Sequence, residues 1–160
     1  MTTPAPRVKL AYLCATFFFS GYSPVAPGTA GSAAGLILIL PLRWLGMPWL
    51  DLAAVAAIFA LGVWSATMVE RDIGIEDPGI VVLDEVLGML ISLLWLPLSW
   101  QVVLAAFLAF RLFDIIKPWP AGRLEYLGGG LGIMADDAMA GVYANLVVQL
   151  LVWWLPGMMR

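Results

Sequence analysis

Apolar positions along this chain fall into long runs, separated by proline, glycine and clustered charge. No charge occurs from Leu10 to Leu42, but GYSPVAPGTAG, Gly21 to Gly31, interrupts that stretch with two prolines and three glycines and predicts a loop. The apolar segment before it, about Leu10 to Ser20, is shorter than the roughly 20 residues that span a bilayer. It reads as an interfacial or re-entrant helix anchored by Arg7 and Lys9. No A-x-A-like cleavage site follows it, which argues against a signal peptide. Further helices are predicted over about Ser32–Leu45, Trp49–Val69, Ile80–Leu96, Trp100–Ile116 and Asp137–Leu155. Pro41, Pro48, Pro78, Pro97, Pro118 and Pro120 fall in the connections, where proline suits helix ends better than middles. The pattern predicts an all-α integral membrane bundle of about five transmembrane helices plus the N-terminal interfacial or re-entrant helix, with residues 1–160 as one domain.

Composition strengthens the membrane reading. Hydrophobic residues make up 62% of the 160 and charged residues 12%, against soluble norms of about 45–50% and about 25%. Mean hydropathy is +0.96. A soluble domain of this size could not bury so much apolar surface. Histidine is absent, which excludes Ser-His-Asp hydrolysis, zinc proteases and histidine-dependent lipid phosphatases. The single cysteine, Cys14, excludes an intrachain disulfide and a thiolate metal cluster. A net charge of -3 gives no nucleic-acid surface. With the N-terminus in the cytoplasm and five crossings, Arg7, Lys9, Arg71, Arg111, Lys117 and Arg123 fall inside, and only Arg43 and Arg160 outside. Tryptophans at the predicted helix ends (Trp44, Trp49, Trp95, Trp100, Trp153, Trp154) form an interfacial belt.

That topology gathers the chemistry at one face. Asp84-Glu85 stands in GIVVLDEVLGM, where two adjacent anions in an apolar helix are costly; a divalent cation would relieve them, or they mark a helix start whose dipole favours acids. Asp77, before Pro78, is either a helix cap or a supporting group for a metal site. Arg111, Asp114 and Lys117 in FRLFDIIKPWP share adjoining parts of one helix face. Arg111 and Lys117 suit phosphate oxygens, and Asp114 is their ion-pair partner or a metal ligand. Asp136-Asp137 follows GGGLG at a helix start, so one acid can cap and the other is free for a ligand. Thr29 and Ser32 in PGTAGS can help cradle an anion, or Ser32 is simply the cap of the next helix. With no histidine or thiolate cluster, these acids point to hard oxygen coordination, Mg²⁺ above Ca²⁺ or Mn²⁺. Acids with Arg and Lys at a membrane face suggest a lipid-headgroup phosphate held by metal and cations together.

GYSPVAPGTAGS, DPGIVVLDEVLGM, FRLFDIIKPWP and GGGLGIMADDAMAGV, in this order over residues 10–145, resemble the bacterial phosphatidylglycerophosphatase A family. The resemblance implies an all-helical enzyme of the bacterial inner membrane, active at its cytoplasmic face. It implies Mg²⁺-dependent removal of the terminal phosphate of phosphatidylglycerophosphate, giving phosphatidylglycerol. It further implies that Asp84, Glu85, Asp114, Asp136 and Asp137 bind metal or serve catalysis, and that Arg111 and Lys117 contact phosphate. Membrane lipids are then the surroundings and the substrate source. Two mechanisms stay open: water attack with a carboxylate such as Asp137 as base, or an aspartyl-phosphate intermediate. A CDP-alcohol phosphotransferase would need a D-G-x-x-A-R run that DDAMAG does not continue. A transporter or cation channel would place its acids near the bilayer midplane along a path from side to side.

Overall fold

In the computed structural model residues 5–155 are described, and among them every regular element is helical. Seven α-helices follow in order: α1 Pro6–Ala15, α2 Pro27–Trp44, α3 Pro48–Ile73, α4 Leu83–Ser92, α5 Trp100–Ile116, α6 Ala121–Leu124 and α7 Gly129–Trp154. Short 3-10 turns occupy Ser20–Tyr22 and Glu125–Leu127. Arg160, counted above on the outer side, lies outside the described residues.

The α5 bounds agree with those read from the pattern, because Ser99 caps Val102 N–H (3.4 Å) and Pro118 stops the helix. Other bounds move. α1 begins at Pro6 and ends at Ala15, after which Phe17, Phe18 and Phe19 all take left-handed backbone and no helix reaches Ser20. α2 starts at Pro27, so most of PGTAGS is helix rather than loop; proline is favourable in a first turn, where its missing N–H would have no partner. Pro41 lies inside the last turn of α2, not in a connection. α7 begins at Gly129, eight residues before Asp137. Glycine disfavours helix in isolation, but here it permits contact: a Cβ on Gly130 would meet the Val63 carbonyl at 2.3 Å, and Gly130 N–H donates to Thr67 Oγ1 (2.9 Å).

Among the described residues, α3 and α7 are the two helices long and apolar enough to cross a membrane by length and composition. α4 is short and the most buried helix; its ten residues span about 15 Å. It is wedged among α2, α3, α5 and α7. Gly88 and Gly141 let α4 and α7 approach closely, since a Cβ on Gly141 would sit 2.6 Å from the Gly88 carbonyl. Around this rod Ile39, Met89, Leu93, Val102, Phe110, Ala144 and their neighbours form the main core. The tryptophans of the predicted belt are all exposed.

Candidate active site

The start of α2, the turn before α4, the start of α4, the end of α5 and the third turn of α7 enclose one cleft of about 260 Å³. Asp84 and Glu85 occupy the first turn of α4, where the apolar neighbours Leu83, Val86 and Leu87 anchor the helix in the core and leave the acids facing the cleft. Asp137 comes from α7, which packs along α4. One carboxylate oxygen from each of Asp84, Glu85 and Asp137 lies within 4.8 Å of the others. Asp84 and Asp137 are buried, and Asp84 Oδ1, Glu85 Oε2 and Asp137 Oδ2 have no hydrogen-bond partner.

Magnitudes decide what this cluster needs. Two like charges about 5 Å apart repel by on the order of 3 kcal/mol at an effective dielectric of 20. Three such pairs approach the whole stability of a typical domain, about 5–15 kcal/mol. The three acids therefore cannot all stay ionised without a counter-charge, and an acidic oxygen-only donor set with orphaned oxygens fits a hard divalent cation.

Asp114 and Asp136 have close cationic partners. Arg111 Nη1 is 2.8 Å from Asp114 Oδ2 and 3.9 Å from Glu85 Oε1. Asp114 also stands against Asp137. Lys117 ends α5 in a left-handed conformation (φ 46°), which turns its side chain back over the cleft. Its Nζ donates to Asp136 Oδ2 at 2.6 Å and lies 3.4 Å from Glu125 Oε2. The other Asp136 oxygen accepts the Asp137 N–H (2.9 Å). Burial opposes the charge on Lys117, but the hydrogen bond and charge of Asp136, with Glu125 and Asp77, outweigh it and hold the ammonium well above the ordinary lysine range. Asp77 sits at the rim; the surrounding protein desolvates its carboxyl enough to raise it, while Lys117 pulls the other way.

The cleft thus joins Asp77, Asp84, Glu85, Arg111, Asp114, Lys117, Asp136 and Asp137. Several local readings change. Asp77 caps nothing: α4 starts six residues later with Val82 at the cap, and Asp77 instead lines the cleft. Neither Asp136 nor Asp137 caps α7, because Gly128 holds that position. Thr29 and Ser32 are not brought into the cleft. Thr29 is exposed, and the buried Ser32 is no cap but donates its hydroxyl to the Gly28 carbonyl (2.8 Å) inside α2. The residue of that motif that does reach the site is Gly28: a Cβ there would lie 2.3 Å from Glu85 Oε1 and 3.0 Å from Arg111 Nη1. Its place inside PGTAGS was the available signal. Glu125 was missed because α6 and its 3-10 turn, which carry it back to Lys117, leave no apolar periodicity.

A model of the family described as phosphatidylglycerophosphatase A matches residues 13–152, which include every residue of this cleft. The chain belongs to this family. It is 44% identical to the phosphatidylglycerophosphatase A of Haemophilus influenzae over 163 aligned residues, covering 97% of this chain and 99% of that protein. It is 40% identical to the phosphatidylglycerophosphatase A of Escherichia coli, covering 85% of this chain and 81% of that one. A Bacteroides thetaiotaomicron protein provisionally named phosphatidylinositol-3-phosphatase is 40% identical, with 90% and 94% covered. No solved structure matches the chain. All three names describe removal of a phosphate from a lipid headgroup.

Proposed function

We propose that this chain is a Mg²⁺-dependent phosphatidylglycerophosphatase, which hydrolyses the terminal phosphate of phosphatidylglycerophosphate to give phosphatidylglycerol and inorganic phosphate. The observation that carries this reading is three clustered acids whose cationic neighbour is Arg111, 3.9 Å from Glu85 and shared with Asp114, in a member of this family. Asp84, Glu85 and Asp137 would hold Mg²⁺, which when bound polarises phosphate oxygens and acidifies water. Arg111 and Lys117 neutralise the phosphate with the donors that Asp114 and Asp136 leave unused. Asp114 and Asp136 keep those two cations aimed at the cleft. Asp137 Oδ2, which has no partner in the protein, accepts the proton of the attacking water.

The same reading makes residues 1–160 a single multi-pass domain of the bacterial inner membrane, with α2, α3, α4 and its following turn, α5 and α7 as the crossings. α5 alone covers about 25 Å, close to the roughly 30 Å hydrocarbon core. It runs from the exposed Trp100 to the cleft at Lys117. A cleft at one helix end belongs at the headgroup level, here the cytoplasmic face, with acyl chains left in the leaflet. Gathering of the acids at that end favours an enzyme over a channel.

Phosphate release from phosphatidylglycerophosphate in detergent, with Mg²⁺ or EDTA, is the test. Turnover that needs Mg²⁺ and is lost in Asp84→Asn is expected; turnover that survives EDTA overturns the metal assignment. The Bacteroides relative makes phosphatidylinositol 3-phosphate the competing substrate to run beside it. Preference for that lipid would keep the chemistry and change the headgroup.

A further inference from the structure

α4 ends at Ser92, and the carbonyls closing a helix have no partner within it. In an apolar bundle such carbonyls must find donors elsewhere. Ser92 O does, and so do the Leu93, Leu94 and Leu96 carbonyls of the turn that follows, all from other helices. Asn145 Nδ2, on α7, donates to Ser92 O (3.1 Å) and Leu94 O (3.0 Å). Arg43, on α2, donates from Nη2 to Leu93 O and from Nη1 to Leu96 O (3.1 Å). Both donors are themselves held. Arg43 Nε pairs with the buried Asp51 of α3 at 2.8 Å. Gln149 Nε2 donates to Asn145 Oδ1 (2.7 Å), which points the amide nitrogen at the carbonyls. A guanidinium at a helix C-terminus also opposes the partial negative charge there.

α2 and α7, with α3 bracing Arg43, therefore grip the C-terminal end of the short rod whose other end carries Asp84 and Glu85. Asp137, the third acid, stands on α7, two turns from the Asn145 that grips α4. We propose that Arg43 and Asn145 are positioning residues: by fixing α4 along its axis against α2 and α7, they set Asp84 and Glu85 opposite Asp137. This rests on the reading of those acids as the metal site, but the clamp itself can be tested without metal.

Hydrogen–deuterium exchange on the full-length protein in detergent reads α4 directly. Arg43→Met and Asn145→Leu are expected to speed exchange of the amides of residues 86–92 at least tenfold relative to α5. Val148→Ala, a cavity in the same core, serves as a control of similar thermal stability and should leave that ratio within twofold. The second readout is the Mn²⁺ concentration giving half of the metal-induced rise in melting temperature. It should increase at least tenfold in the two clamp variants, only partly in Arg43→Lys, which keeps the charge and loses the fork, and not in Val148→Ala. Should the strong variants fail to fold, Arg43→Lys and Asn145→Gln carry both measurements. Unchanged α4 exchange, or a change matched by Val148→Ala, overturns the clamp. Faster α4 exchange with an unshifted Mn²⁺ midpoint overturns its role in setting the acids. A wild-type protein that Mn²⁺ does not stabilise sinks the metal reading instead, while the exchange result still decides whether α4 is clamped.

Discussion

The two ends of this bundle treat buried carboxylates in opposite ways. At the end away from the cleft, Asp51 is buried 2.8 Å from Arg43 Nε, so anion and cation cancel locally. At the cleft, Asp84, Glu85 and Asp137 crowd within 4.8 Å of one another, with three orphaned oxygens and the Arg111 cation 3.9 Å from Glu85 and shared with Asp114. Desolvation makes both arrangements costly. Only the first is relieved by the fold itself. On the proposed reading the second is relieved by a bound cation, and that asymmetry separates a structural ion pair from a candidate site.

The contrast is broken most forcefully by neutralising one acid at each end. Asp84→Asn or Asp137→Asn should lower hydrolysis by about a thousandfold, while the melting temperature measured in EDTA holds or rises because a repelling charge is gone. Asp51→Asn should do the reverse. It strands Arg43 and costs about 2 kcal/mol, less than the roughly 3–5 kcal/mol of a fully buried pair, because Arg43 is 25% exposed. Its activity, corrected for folded fraction, should stay near wild type at saturating Mg²⁺. Equal stability losses at both ends would erase the distinction.

Metal exchange comes next in size. Thermal melts should show Mg²⁺ at a hundred times its Kd adding about 2.7 kcal/mol to the wild type, with a much smaller gain in Asp84→Asn. Gly28→Ala is a milder probe. Its methyl would press on Glu85 Oε1 and Arg111, so turnover should fall about tenfold, on the scale of a misplaced catalytic group, with little change in melting.

The smallest effect concerns Asp77. Its carboxyl is raised by desolvation, so the folded state penalises the ionised form. That penalty is absent below the ordinary value of 3.8, builds between 3.8 and the raised folded value, and is constant above it. Asp77→Asn should therefore raise the melting temperature slightly at pH 7 and leave it unchanged near pH 3. A destabilising effect at pH 7 would show that the Lys117 attraction outweighs burial.

Legibility differed from element to element for identifiable reasons. α5 could be read to its ends because an unbroken apolar run lies between Ser99 and Pro118. The start of α7 could not, because a glycine run reads as loop until the Val63 and Thr67 backbone it packs against is known. Thr29 and Ser32 looked like anion ligands on chemistry alone; the helical turn from Pro27 instead brought Gly28 to the cleft. Asn145 drew no notice as a lone amide in an apolar helix, since its meaning depends on where α4 stops.

From the sequence alone came the all-helical apolar scaffold, the absence of imidazole chemistry, and the acids and cations that form the cleft. These are properties of residue type and local periodicity, which the chain carries before it folds. Tertiary structure decided which acids face each other and which are paired off. Asp136 went to Lys117, Asp114 to Arg111, and Asp84, Glu85 and Asp137 were left together. That partition depends on angstrom distances between helices far apart in the chain, set by glycine contacts and by the axial position of α4, and no one-dimensional pattern encodes it.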